Sequence, residues 1–182
     1  MKALAAAALL ALVVACGQGR AIFNVDVLSF MQPSGRDTIR YNLPPSPITV
    51  TADSFIPAQK ISLPSGLGSS SVDSVSVTAA AVADNATGTG SVTFDVFFAK
   101  DSATAYGGTP YFTATGTISG AQPSTVPLVA PTTVSLSDSV FNTNTLWVGV
   151  HARLNQNAGP GLTGKVRLTT VTMRIVLQDK VF

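Results

Sequence analysis

Alternation of apolar and polar residues at every second position constrains this chain more than any other feature. Leu146, Val148, Val150 and Ala152 alternate with Trp147, Gly149, His151 and Arg153. Val92, Phe94, Val96 and Phe98 form a second such series, with Thr93 and Asp95 between them. Successive side chains of a strand point to opposite faces, so each series puts one face in a core and the other at a surface. Phe23, Val25 and Val27 repeat the pattern near the start, against Asn24 and Asp26. Turn chemistry separates the segments, at Gln32-Pro33-Ser34-Gly35, Pro44-Pro45, Asp84-Asn85-Ala86-Thr87-Gly88, Gly107-Gly108 and the Gly/Asn/Pro loop from Asn155 to Gly164.

Shorter strands are predicted over residues 38–43, 48–51, 60–63, 72–79, 111–118, 126–129 and 133–136. The final strand, residues 165–177, changes parity from Val166 and Leu168 to Val171, Met173, Ile175 and Leu177. One extra residue near Thr169-Thr170, a β-bulge, accounts for that change. Beyond residue 16 no segment keeps helical periodicity over three turns. The expected fold is all-β, a single antiparallel β-sandwich, Ig-like or jelly-roll-like, over residues 22–182 after an N-terminal signal helix.

Composition narrows the function classes. Charged residues make up 11% of the chain and hydrophobic ones 46%, a polar but nearly uncharged character that suits an exported β-protein. Eleven Lys and Arg face nine acids, all Asp, and no basic cluster occurs, so nucleic acid is not an expected partner. One cysteine, Cys16, and one histidine, His151, exclude an internal disulfide and any site needing several Cys or His ligands. No cofactor or metal is expected.

The first sixteen residues, MKALAAAALLALVVAC, carry one basic residue and then an apolar run too short for a comfortable transmembrane helix. Val13-Val14-Ala15-Cys16 resembles a bacterial lipobox. That resemblance implies a lipoprotein signal peptide over residues 1–15, cleavage before Cys16, acylation of its thiol, and a lipidated tether over residues 16–21. It also implies a membrane partner through that lipid and a place in the bacterial cell envelope. Gly17 after the cysteine directs the expectation to the outer membrane. Two or more acyl chains make a durable anchor, because each buried CH₂ contributes about 0.8 kcal/mol.

Trp147, His151 and Arg153 share the strand face opposite the predicted core. Pairing with the following strand as a hairpin would bring Thr172 and Arg174 to the same face. Three readings follow. The first is a membrane-anchored envelope lipoprotein whose non-catalytic sandwich contacts protein or envelope polymer. The alternative is a carbohydrate-binding module, with Trp147 stacking on a sugar and His151, Arg153 and Arg174 hydrogen-bonding its hydroxyls. The weaker alternative is a hydrolase with His151 as base for a nearby Ser, but the chain has no Gly-x-Ser-x-Gly elbow. Asp84, Asn85 and Asp101 lie in expected turns, where such residues cap the backbone more often than they bind calcium.

Overall fold

The computed structural model describes residues 20–63, 71–119, 124–134, 139–141 and 143–178. Its strands are β1 (Arg20–Asp26), β2 (Thr38–Asn42), β3 (Val50–Ser62), β4 (Ser71–Thr87), β5 (Gly90–Ala99), β6 (Phe112–Ile118), β7 (Ser124–Val134), β8 (Thr145–Gln156) and β9 (Thr163–Gln178). A single helical turn, α1 (Leu28–Met31), and a 3₁₀ turn at Gln32–Ser34 link β1 to β2. The expected signal helix and Cys16 lie outside the described residues.

Two antiparallel sheets face each other. One runs β1-β9-β4-β7, with β2 also on β9, and the other runs β3-β8-β5-β6. From β2 to β5 the chain crosses between sheets at every step, and it does so again from β6 to β9. This double crossing is the jelly-roll form of the sandwich, so the expected all-β class is observed.

The alternation read from the sequence sets the core. Leu146, Val148, Val150, Ala152 and Leu154 of β8 are buried, as are Val92, Phe94, Val96 and Phe98 of β5. They meet Val75, Val77, Ala79, Ala81 and Ala83 of β4 and Val171, Met173, Ile175 and Leu177 of β9 in one cluster. The bulge in β9 falls at Thr169, since Ala80 pairs with Thr170 and Ala81 with Leu168. The extra residue lets Val166 and Leu168 face the same core as Val171 and Met173.

A second bulge joins two segments that the sequence suggests are separate strands. Ile56 pairs with Val150 but Gln59 pairs with Val148, so Pro57 and Ala58 together oppose Gly149. Proline cannot donate to a ladder, and here it sits in a bulge of an edge strand, where that loss is tolerated. The bulge reverses parity, so Ile56 and Ile61 are both buried although five positions apart.

The expected hairpin between the last two strands does not form. β8 and β9 follow one another in the chain but belong to opposite sheets. Arg174 therefore pairs with Asn24 of β1 and Ser76 of β4, on the sheet that lacks Trp147, His151 and Arg153. Alternation specifies which face of a strand is buried, not which sheet receives it.

Candidate functional site

The outer face of the β3-β8-β5-β6 sheet gathers the chemistry-bearing side chains. Register aligns them in rows across the strands. Phe55, His151, Asp95 and Thr113 form one row, and Asp53, Arg153, Thr93 and Thr115 form the next. Lys60, Trp147 and Ala99 form a row beyond the β3 bulge.

His151 is the centre. It is 4% exposed, unlike the solvated residue that the alternation alone suggests. Its Nδ1 lies 3.0 Å from Asp95 Oδ2 and its Nε2 lies 2.8 Å from Asp53 Oδ1. Ionised carboxylates only accept hydrogen bonds, so the ring satisfies both neighbours when both nitrogens carry protons. Thr113 Oγ1 donates to Asp95 Oδ1 at 2.6 Å, which orients that carboxylate from β6. Arg153 Nε donates to Asp53 Oδ1 at 3.1 Å. The hydrogen bond from His151, helped by that from Arg153, holds the Asp53 carboxyl below the usual aspartate range.

Phe55 covers the imidazole. The two rings stack with centroids 4.5 Å apart, while Phe55 remains 53% exposed. Tyr106, from the loop between β5 and β6, meets Phe55 edge-on at 5.0 Å and Phe97 at 5.6 Å. Its hydroxyl donates to the Ile56 carbonyl, and burial raises its phenol. Gly149 lies beneath the ring, and a Cβ there would come within 2.7 Å of Tyr106 Cε1. Asp101 Oδ1 accepts from Thr104 N at 2.8 Å and fixes a turn of the same loop. This is the backbone-capping role expected for Asp101.

The face thus presents an exposed, immobilised aromatic ring beside a carboxylate and a guanidinium. Trp147 lies on it, partly buried, with Arg153 exposed and His151 beneath Phe55. Arg174 does not join them. It lines a separate depression of about 360 Å³ on the other sheet, with Asn24, Asp26, Ser76, Thr78 and Thr172. Sequence reasoning missed Phe55, Asp53 and Asp95 as members of the site. Asp95 had the signal, since it occupies the non-core parity of β5.

Both His151 nitrogens are engaged by carboxylates, so neither is presented to a serine hydroxyl as the base of a serine triad would be. Among the described residues no group of three or more His, Cys, Asp or Glu is placed to hold a metal ion. Asn85 is buried and bonded to Tyr41 and to the Gly88 carbonyl, and Asp84 pairs with Lys165 and Arg167.

No family model matches the chain, and no curated protein matches it. Solved structures similar to it include the infectious bursal disease virus Gx strain, at 10% identity and TM-score 0.39, covering 90% of this chain and 38% of that one. The VP2 subviral particle of infectious bursal disease virus is similar at 8% identity and TM-score 0.34, over 78% of this chain and 37% of that one. TmCBM61 in complex with β-1,4-galactotriose is similar at 11% identity and TM-score 0.31, over 85% of this chain and 89% of that one. The chain spans less than two fifths of the viral chains it matches. These findings correct the expectation of a membrane-anchored lipoprotein of the cell envelope and outer membrane; Cys16 lies outside the described residues. The solved structures named above are of a virus, of a VP2 subviral particle and of a sugar complex.

Proposed function

We propose that this domain is a carbohydrate-binding module that binds a saccharide on the outer face of the β3-β8-β5-β6 sheet. The observation that carries the reading is the exposed ring of Phe55, seated on His151 with the Asp53–Arg153 pair in the adjoining row. A pyranose offers an apolar C–H face and a rim of hydroxyls. The aromatic ring matches the first, and the carboxylate and guanidinium match the second. Because the ring is already fixed, little side-chain entropy is lost when a ligand settles on it. Trp147, two rows away on the same face, extends the surface toward a second sugar unit.

Isothermal titration calorimetry of the protein against a panel of neutral β-linked oligosaccharides tests the reading. Binding by the parent, with loss of about tenfold or more in a Phe55→Ala variant that remains folded, is the expected result. A parent protein that binds none of the panel and no acidic counterpart sinks it.

A further inference from the structure

A cleft of about 350 Å³ opens where β2 and the turn before it approach β3. Its lining includes Ser34, Arg36, Thr38, Arg40, Ser54 and Phe55, and no carboxylate is among the lining residues. Arg36 Nη1 donates to Gln59 Oε1 at 2.6 Å and to the Ala58 carbonyl at 3.4 Å. Those bonds hold the guanidinium in place and leave its other donors for a ligand. Arg40 is exposed and makes no hydrogen bond or ion pair among the described residues. Two cations, one anchored and one free, with hydroxyls between them, form a site for an anion, their charge offset in part by the Asp37 carboxylate 3.4 Å from the Thr38 hydroxyl.

The cleft is continuous with the sheet face because Phe55 belongs to both. A sugar stacked on Phe55 would therefore project one substituent toward Arg36 and Arg40. We propose that the saccharide bound by this protein is anionic, its carboxylate or sulfate held in the cleft by Arg36 and Arg40. This inference rests on the saccharide-binding reading and names the class of sugar.

The test compares three probes by calorimetry with the full chain, an oligogalacturonate, a sulfated galacto-oligosaccharide and a neutral galacto-oligosaccharide. Expected is tighter binding of at least one anionic probe by about tenfold, the value of one charge-assisted hydrogen bond. That advantage should shrink as salt is raised, while neutral binding should not. Arg40→Gln should lose most of the advantage and keep both the neutral affinity and the thermal midpoint. Arg40→Lys should restore part of it. Preference for the uronate alone, or for the sulfate alone, supports the inference and identifies the group. Equal affinity for neutral and anionic probes, or full preference retained in Arg40→Gln, overturns it and leaves saccharide binding standing. Binding of none of the three overturns this inference, and saccharide binding itself falls only if the wider panel is also unbound.

Discussion

Phe55 lies nearly parallel to the imidazole of His151, with centroids 4.5 Å apart and planes inclined by 18°. The exposed ring is held by a buried one, and the buried one is held by two carboxylates. His151→Ala removes the support of Phe55 and strands Asp95, which keeps only its bond from Thr113. The expected loss is about 2–4 kcal/mol, as for breaking a largely buried pair from one side. Asp53→Ala removes only an exposed partner and should cost less than about 1 kcal/mol. Urea unfolding of the two variants beside the parent measures the contrast, and equal losses would refute this account of the row.

Acid should act through Asp53. Its carboxyl titrates below its ordinary value of 3.8 because the folded state donates hydrogen bonds to the ionised form, first from His151 and then from Arg153. A lowered folded value adds stability above the unfolded one, and that stability disappears as pH falls through the folded value. The parent should therefore lose stability below about pH 4 more steeply than Asp53→Asn. Unfolding midpoints at several acidic pH values check this, and parallel acid limbs would contradict it.

Tyr41 governs the alkaline side. Burial, with the nearby charge of Asp84, pushes its phenol up to about 12. A raised folded value favours the protonated form, so its contribution is complete below the unfolded value and fades as pH rises through the folded one. Stability should fall between about pH 10 and about 12, and this fall should be weaker in Tyr41→Phe. At neutral pH the same substitution leaves Asn85 Oδ1 without the bond that Tyr41 donates at 3.2 Å. The expected cost there is about 1–2 kcal/mol. Absorbance titration of the phenols, paired with unfolding curves, reads both effects.

Gly149 underlies the aromatic cluster, and its missing Cβ is the space that Tyr106 occupies. Gly149→Ala should displace the Tyr106 ring, break its hydroxyl bond to the Ile56 carbonyl and loosen Phe55. Overpacking of this kind costs about 1–3 kcal/mol. Saccharide affinity should fall with it. Amide exchange at residues 104–107 should quicken, and unchanged exchange together with unchanged affinity would show that Tyr106 plays no part in shaping the face.

Much of the fold is legible in the alternation, and the reasons are local. The buried set of β8 follows directly from Leu146, Val148, Val150 and Ala152. The parity change around Thr169 correctly marks a bulge. The β3 bulge is harder to read, because Pro57 interrupts the segment and the reversed parity makes residues 48–51 and 60–63 look unrelated. Pairing is not local at all. Asp53 and His151 are separated by 98 positions, and Asp95 and His151 by 56. Arg174 is misplaced for the same reason, since chain proximity suggested a hairpin that the sandwich does not use. The burial of His151 depends on its two carboxylates and the Phe55 ring, none of which adjoins it in sequence.

The position of β9 bears on how the molecule is made. It is the last described strand, yet β1, β2 and β4 all pair with it. A ribosome releases the chain in order, so the earlier strands emerge before the segment that joins them. Contacts between such distant segments form slowly, because loop entropy must be lost before pairing returns any free energy. Until β9 arrives, the edges of β1, β2 and β4 stay open to strands of other chains. The risky interval for this domain is therefore the time before β9 emerges, and its yield should respond more to chaperone supply and growth temperature than to changes in the stability of the finished fold.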